Sequence, residues 1–180
     1  MKNFIKKIGA VFLSLTVAAS LLAGCGAKTT EPADASASKG TFRTLEEIKS
    51  SGTINIGVFS DKSPFGYVDE NGEYQGYDVY FARRLAEDLG VKVNFISTEA
   101  ANRIEYLKTG KVDVILANFT VTPARAEEVD FALPYMNVAL GVVSPEGRVI
   151  TTLDDWDEND EMIVISGTTA ETYLTENYPN

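Results

Sequence analysis

Apolar and polar positions in this chain switch between two periods, near 3.6 and near 2, and the switches mark its elements. Thr41 to Ser50 opens with a short helix in which Thr44 caps and Glu47 stands at capping-box spacing. Ile54, Ile56 and Val58 alternate with Asn55 and Gly57, which predicts a strand. Asn71-Gly72 is a turn signal between two short extended pieces. Gly76-Tyr77-Asp78 begins a helix with Asp78 at the cap; Phe81, Ala82, Leu85, Ala86 and Leu89 form its apolar stripe, and Gly90 is its stop. Val91, Val93 and Phe95 predict a second strand, and Ala101, Ile104 and Leu107 a helix that stops at Gly110. Val112 to Ala117 is an apolar run that suits a strand buried on both faces. Beyond it the pattern gives an apolar run from Val138 to Val143, a short helix at Thr151–Trp156 and a strand at Met162–Ile165. Ser166-Gly167-Thr168-Thr169-Ala170 then turns into a helix ending near Tyr178. The fold class is α/β.

The first 24 residues follow a different rule. Lys2, Lys6 and Lys7 precede an apolar run from Ile8 to Leu22, a charged region followed by a hydrophobic core too short for a comfortable membrane span. It ends in Leu22-Ala23-Gly24-Cys25, which resembles the lipobox cut by the bacterial lipoprotein signal peptidase, with the Cys25 thiol taking the lipid. An ordinary secretory leader with an incidental thiol is the alternative. Cys25 is the only cysteine, so no intrachain disulfide forms. Residues 25–40 are small, polar and without periodicity, the composition of a disordered tether.

Charge narrows the function. The net charge is −10, with no histidine, and it becomes more negative once Lys2, Lys6 and Lys7 leave with the leader. Without a dense basic patch, nucleic-acid binding is excluded as a reading, because phosphate contacts need clustered Lys and Arg.

The densest chemistry lies in Glu99 to Tyr135. Thr122 suits an N-cap and Pro123 the first helical position, which puts Arg125 in the first turn of a helix following the strand end at Asn118 and Thr120. Helical side chains lean toward the N-terminus, so the Arg125 fork folds back over that loop, where a hydroxyl and unpaired amides converge with it. A carboxylate fits this point because two oxygens accept the fork bidentately. The alternative is a surface ion pair between Arg125 and Glu128.

The run V-D-V-I-L-A-N-F-T-V-T-P-A-R-A-E-E-V-D-F-A-L-P-Y resembles the signature of polar amino acid solute-binding proteins, the family 3 receptors of ABC importers. The resemblance covers about Ile54 to Tyr178 and implies a periplasmic-binding-protein-like (type II) two-lobed fold. On it, 1–24 is a lipoprotein signal peptide, 25–40 the tether, 41–137 a nearly complete first lobe, and 138–180 a hinge strand and incomplete second lobe. It implies that Arg125 clamps a ligand α-carboxylate, assisted by Thr120 and the backbone at Asn118. The loop after the first strand, with Asp61, Lys62 and Tyr67, lines the cleft, Lys62 standing where some relatives carry an aromatic residue; packing beneath the loop is the alternative for Phe65 and Tyr67, and suits Phe65 better. Ala100 stands near where many relatives place an aromatic platform. Glu99 and Arg103 either reach a polar ligand or pair with each other across a helix start. The turn at Thr168 and Thr169 closes the second lobe onto the carboxylate side, or is a capping turn without ligand. E-A-A-N-R, L-A-N-F-T and G-T-T-A resemble cysteine-binding members.

The resemblance therefore implies a lipid-anchored extracytoplasmic receptor at the bacterial cell membrane. Its partners are a free amino acid, the transmembrane subunits of an ABC permease and the membrane through Cys25. No cofactor, metal or catalytic residue is implied. Dehydratases of prephenate or arogenate share the scaffold and give an enzymatic alternative, with Glu99 the one candidate acid or base. The family places the acidic residue for the ligand's α-ammonium in later sequence than Asn180. The expectation is half a site, weak or absent binding by this chain alone, and an exposed second-lobe face prone to association.

Overall fold

A computed structural model describes residues 42–179. The expected leader, the whole tether and Cys25 lie outside the described residues.

The chain begins with α1 (Leu45–Ser51), held by the expected capping box: the Thr44 hydroxyl accepts from the Glu47 amide at 3.2 Å, and the Glu47 carboxylate accepts from the Thr44 amide at 2.7 Å. Then come β1 (Thr53–Val58), β2 (Asp61–Lys62), β3 (Gly66–Val68), β4 (Tyr74–Gln75), α2 (Tyr77–Leu89) and β5 (Lys92–Ser97). A single 3₁₀ turn (Ala100–Asn102) leads into α3 (Arg103–Lys108), followed by β6 (Val114–Ile115) and α4 (Pro123–Ala126). The last helix is α5 (Thr169–Asn177).

Strand β1 is central to a parallel sheet of order β5–β1–β6, while β2, β3 and β4 form a small antiparallel sheet beside it. The central place explains why Ile54, Ile56, Gly57 and Val58 are all buried rather than alternating. Helix α2 packs on β1 and β5. Its Val79, Ala82 and Ala86 close a core with Ile48, Ile54, Ile56 and Val58. Phe81, Leu85 and Leu89 from the same stripe are half-buried.

Three expectations need correction. Gly76, not Asp78, is the N-cap of α2; Asp78 lies inside the first turn, fully buried, where its carboxylate is spent on other partners. The run Val112–Ala117 forms a ladder only at Val114–Ile115, and only Val112 and Ala117 are buried. Among the described residues β6 is an edge strand with one neighbour, and Asp113 diverts its carboxylate to the Asn55 amide at 2.6 Å and to Arg43. Finally, neither 138–143 nor 162–165 forms a strand. Val138, Leu140, Val142, Val143, Ile163, Val164 and Ile165 are exposed, and no described segment pairs with them. An isolated extended segment has no ladder to satisfy its backbone. Between these runs lies a single capped turn at Leu153–Asp155, inside the expected helix, and Arg148 joins it by donating to the Asp155 carbonyl at 2.9 Å.

Candidate ligand-binding site

The site lies beyond the C-terminal ends of β1 and β6, where the sheet's loops meet. Asn118 follows the buried Ala117 and takes φ 44, a left-handed conformation that a non-glycine residue holds only when its surroundings compensate. They do so through Asp78. Its Oδ2 accepts from the Asn118 amide at 3.0 Å, and its Oδ1 accepts from the Tyr135 hydroxyl at 2.7 Å. Tyr77 in turn donates to the Tyr135 carbonyl at 3.0 Å. Burial raises the Asp78 carboxyl above the ordinary aspartate range against the pull of these hydrogen bonds. The Tyr135 phenol is pushed well above its usual value, by burial first and then by the Asp78 charge.

Two guanidinium groups then converge. Thr122 caps α4 by accepting from the Arg125 amide at 3.3 Å, with Pro123 in the first turn as expected. Arg125 folds back as the helix geometry requires, its Nη1 donating to the Thr120 carbonyl at 2.8 Å and its Nη2 to the Gly167 carbonyl at 2.9 Å. The ion pair with Glu128 is absent; Glu128 pairs with Lys108 at 2.6 Å. Arg103, only 3% exposed, donates to the carbonyls of Ala100 at 2.9 Å, Ala117 and Asn118 both at 3.0 Å, and Gly167 at 2.8 Å. Both guanidinium groups lie against the Phe119 ring, at 4.4 Å for Arg103 and 4.8 Å for Arg125. Among the described residues neither is paired with a carboxylate. Burial, and then the charge of Arg125, draws the Arg103 pKa down to about 10; burial also lowers that of Arg125. Two such charges held only by neutral carbonyls favour an anion beside them.

The remaining candidates divide. Ala100 is buried beneath Arg103 as part of this cluster. Glu99 is exposed and makes no pair with Arg103, which corrects that expectation: Arg103 points inward from the face shared by Ala100, Ile104 and Leu107. Asp61 and Lys62 pair with each other on β2, and Tyr67 stands opposite Asp61 in the ladder; no described polar contact joins them to the arginines. Thr168 caps α5, accepting from the Glu171 amide at 3.2 Å and donating to the Ile165 carbonyl at 2.7 Å, and Thr169 is the first helical residue. The Gly167 amide donates to the Glu171 carboxylate at 2.7 Å, so the anion-friendly start of α5 is filled by its own side chain. Phe119 and the Asp78–Tyr135 pair are site elements that the sequence reading did not single out. The available signal was a charged residue, Asp78 or Arg103, falling on an otherwise apolar helix stripe.

This architecture, a parallel sheet with its loops gathered at one end, is of the α/β, periplasmic-binding-protein-like class. The chain belongs to the bacterial extracellular solute-binding proteins, family 3, whose profile matches residues 54–167. It is 30% identical over 178 residues to the ABC transporter glutamine-binding protein of Bacillus subtilis, covering 97% of this chain and 64% of the relative. It is 28% identical over 137 residues to the cyclohexadienyl dehydratase of Pseudomonas aeruginosa, covering 74% of this chain and 51% of the relative. The crystal structure of the cysteine-binding protein of Campylobacter jejuni superposes with a TM-score of 0.70 at 54% identity, over 76% of this chain and 56% of that one. The chain thus spans between half and two thirds of these relatives' own length.

Proposed function

We propose that this chain is the carboxylate-binding part of a receptor that captures a polar amino acid outside the membrane and presents it to the permease of an ABC importer. The carrying observation is the pair Arg103 and Arg125, stacked on Phe119 and without an acidic partner among the described residues. Arg125 makes no described use of its Nε–H, and each terminal nitrogen has a second hydrogen to offer an incoming carboxylate. Asn118, fixed in its left-handed conformation, and Thr120 form the wall of that position. Asp61, Lys62, Tyr67 and Glu99 remain candidates for the side-chain end of the cleft, and Thr168 and Thr169 for its far jaw. Cysteine is the first ligand to test, since the Campylobacter jejuni cysteine-binding protein is similar over most of the described chain.

In this reading residues 41–137 are the first lobe, and 138–180 cross by a hinge into the second. A lipid on Cys25 anchors the receptor to the outer face of the cell membrane. A calorimetric screen of amino acids on wild type and Arg125→Met tests it. Weak binding, with a dissociation constant of about a millimolar, is expected for wild type and none for the variant. Equal affinity for both overturns the reading.

The dehydratase alternative would need an acid or base aimed at bound substrate. Glu99 is the candidate, and its carboxylate is exposed with no described contact to the arginines. We expect no product when the chain is incubated with prephenate or arogenate.

A further inference from the structure

The most buried guanidinium in the site does not wait on a ligand for all its partners; one of them is the chain's own C-terminal turn. Arg103 holds Ala100, Ala117 and Asn118 through their carbonyls and reaches across to Gly167, 64 positions away in sequence. Arg125 donates to the same Gly167 oxygen. The turn can sit this close because residue 167 is glycine. Its φ is +77, and a Cβ there would lie 2.6 Å from the Ala101 Cα and 2.7 Å from the Ala101 nitrogen. The residues leading into the turn, Ile163 to Ser166, are exposed, so little apolar burial holds them.

We propose that Arg103 is a positioning residue: it latches turn 166–168 onto the loop 117–120, so that docking of the turn and the shape of the ligand loop form one cooperative state. One planar fork does both jobs. Its Nη1 fixes the carbonyls of Ala117 and Asn118 while its Nη2 grips Gly167. Lifting the turn leaves a buried guanidinium short of an acceptor, which loosens its hold on the loop as well. Lysine keeps the charge but is a point donor that cannot span these carbonyls.

Hydrogen exchange on the unliganded chain tests this directly. The peptide covering 163–172 exchanges at least about tenfold faster in Arg103→Lys and in Gly167→Ala than in wild type, while β1 keeps its protection. Gly167→Ala also accelerates exchange at 117–120, which a purely local role for Arg103 does not produce. If Arg103→Lys loosens the whole sheet, Gly167→Ala, which lies outside it, decides. Unchanged exchange at both 163–172 and 117–120 in Gly167→Ala overturns the latch. A second arm adds L-cysteine and rests on the receptor reading: slower exchange at 163–172 in wild type is expected. Failure of that arm with the unliganded differences intact counts against the receptor reading and leaves the latch standing.

Discussion

Two arginines define the site, and they were not equally easy to read. Arg125 announced itself because Thr122 and Pro123 fix the start of α4 and so the direction of its side chain. Arg103 hides at the start of α3, whose other inward positions are Ile104 and Leu107; Glu99, just ahead of it, suggested a surface pair, while the geometry carries the guanidinium beneath the loop. What spacing along one helix cannot supply is the partner on another element. The acceptors of Arg103 on Ala117, Asn118 and Gly167 are backbone carbonyls, which leave no mark in a sequence. Asp78 teaches the same lesson, for its partners are a backbone amide at Asn118 and a hydroxyl at Tyr135. Its raised pKa yields a signed prediction. Because the folded chain holds the Asp78 proton more tightly than the unfolded chain, this group's stabilising contribution is complete below the unfolded pKa of about 4 and is lost as pH rises through the folded value. Wild type therefore gains stability relative to Asp78→Asn as pH falls from neutral toward about 4, measured by urea unfolding. A difference independent of pH would show that the carboxyl is not perturbed.

At the scale of elements, local patterning worked where an element carries its own instructions. The capping box of α1, the Gly90 stop of α2 and the Thr168 cap of α5 are all short-range signals, and all are present. Removing one has a bounded cost: Thr44→Ala lowers unfolding free energy by about 1 kcal/mol, read from chemical denaturation. Strand β1 depends instead on both neighbours and α2 above it. Ile56, with no exposed surface, is expected to cost about 2–5 kcal/mol when replaced by alanine, because the surrounding side chains collapse only in part. The runs at 138–143 and 162–165 show the limit of such reading. Their composition suits strands, but a strand exists only where a second backbone lies alongside, and none of the described segments does.

Taken whole, the molecule combines an acidic chain of net charge −10 with a pair of guanidinium groups held by neutral carbonyls. It also carries Leu133, Val143 and Ile163 at 90%, 98% and 92% exposure. Apolar surface of this kind promotes self-association. Sedimentation is expected to show an apparent mass that rises with concentration, and the double change Val143→Lys with Ile163→Lys is expected to reduce it. The strand, loop and capped helix that carry Arg125 were legible in sequence because they lie in one continuous stretch, residues 99–135. The closing contact at Gly167 was less so, since it joins segments far apart in the chain.

The central claim is that Arg125 faces an amino acid's carboxylate, and its side-chain Nε–H reports on that contact directly. In a ¹⁵N-correlated NMR titration, L-cysteine should shift the Arg125 Nε–H signal, whereas L-cysteine methyl ester, which keeps the amine and thiol but has no carboxylate, should leave it in place. Equal shifts with both compounds, or no shift with L-cysteine while other signals of the chain respond to it, would contradict the account.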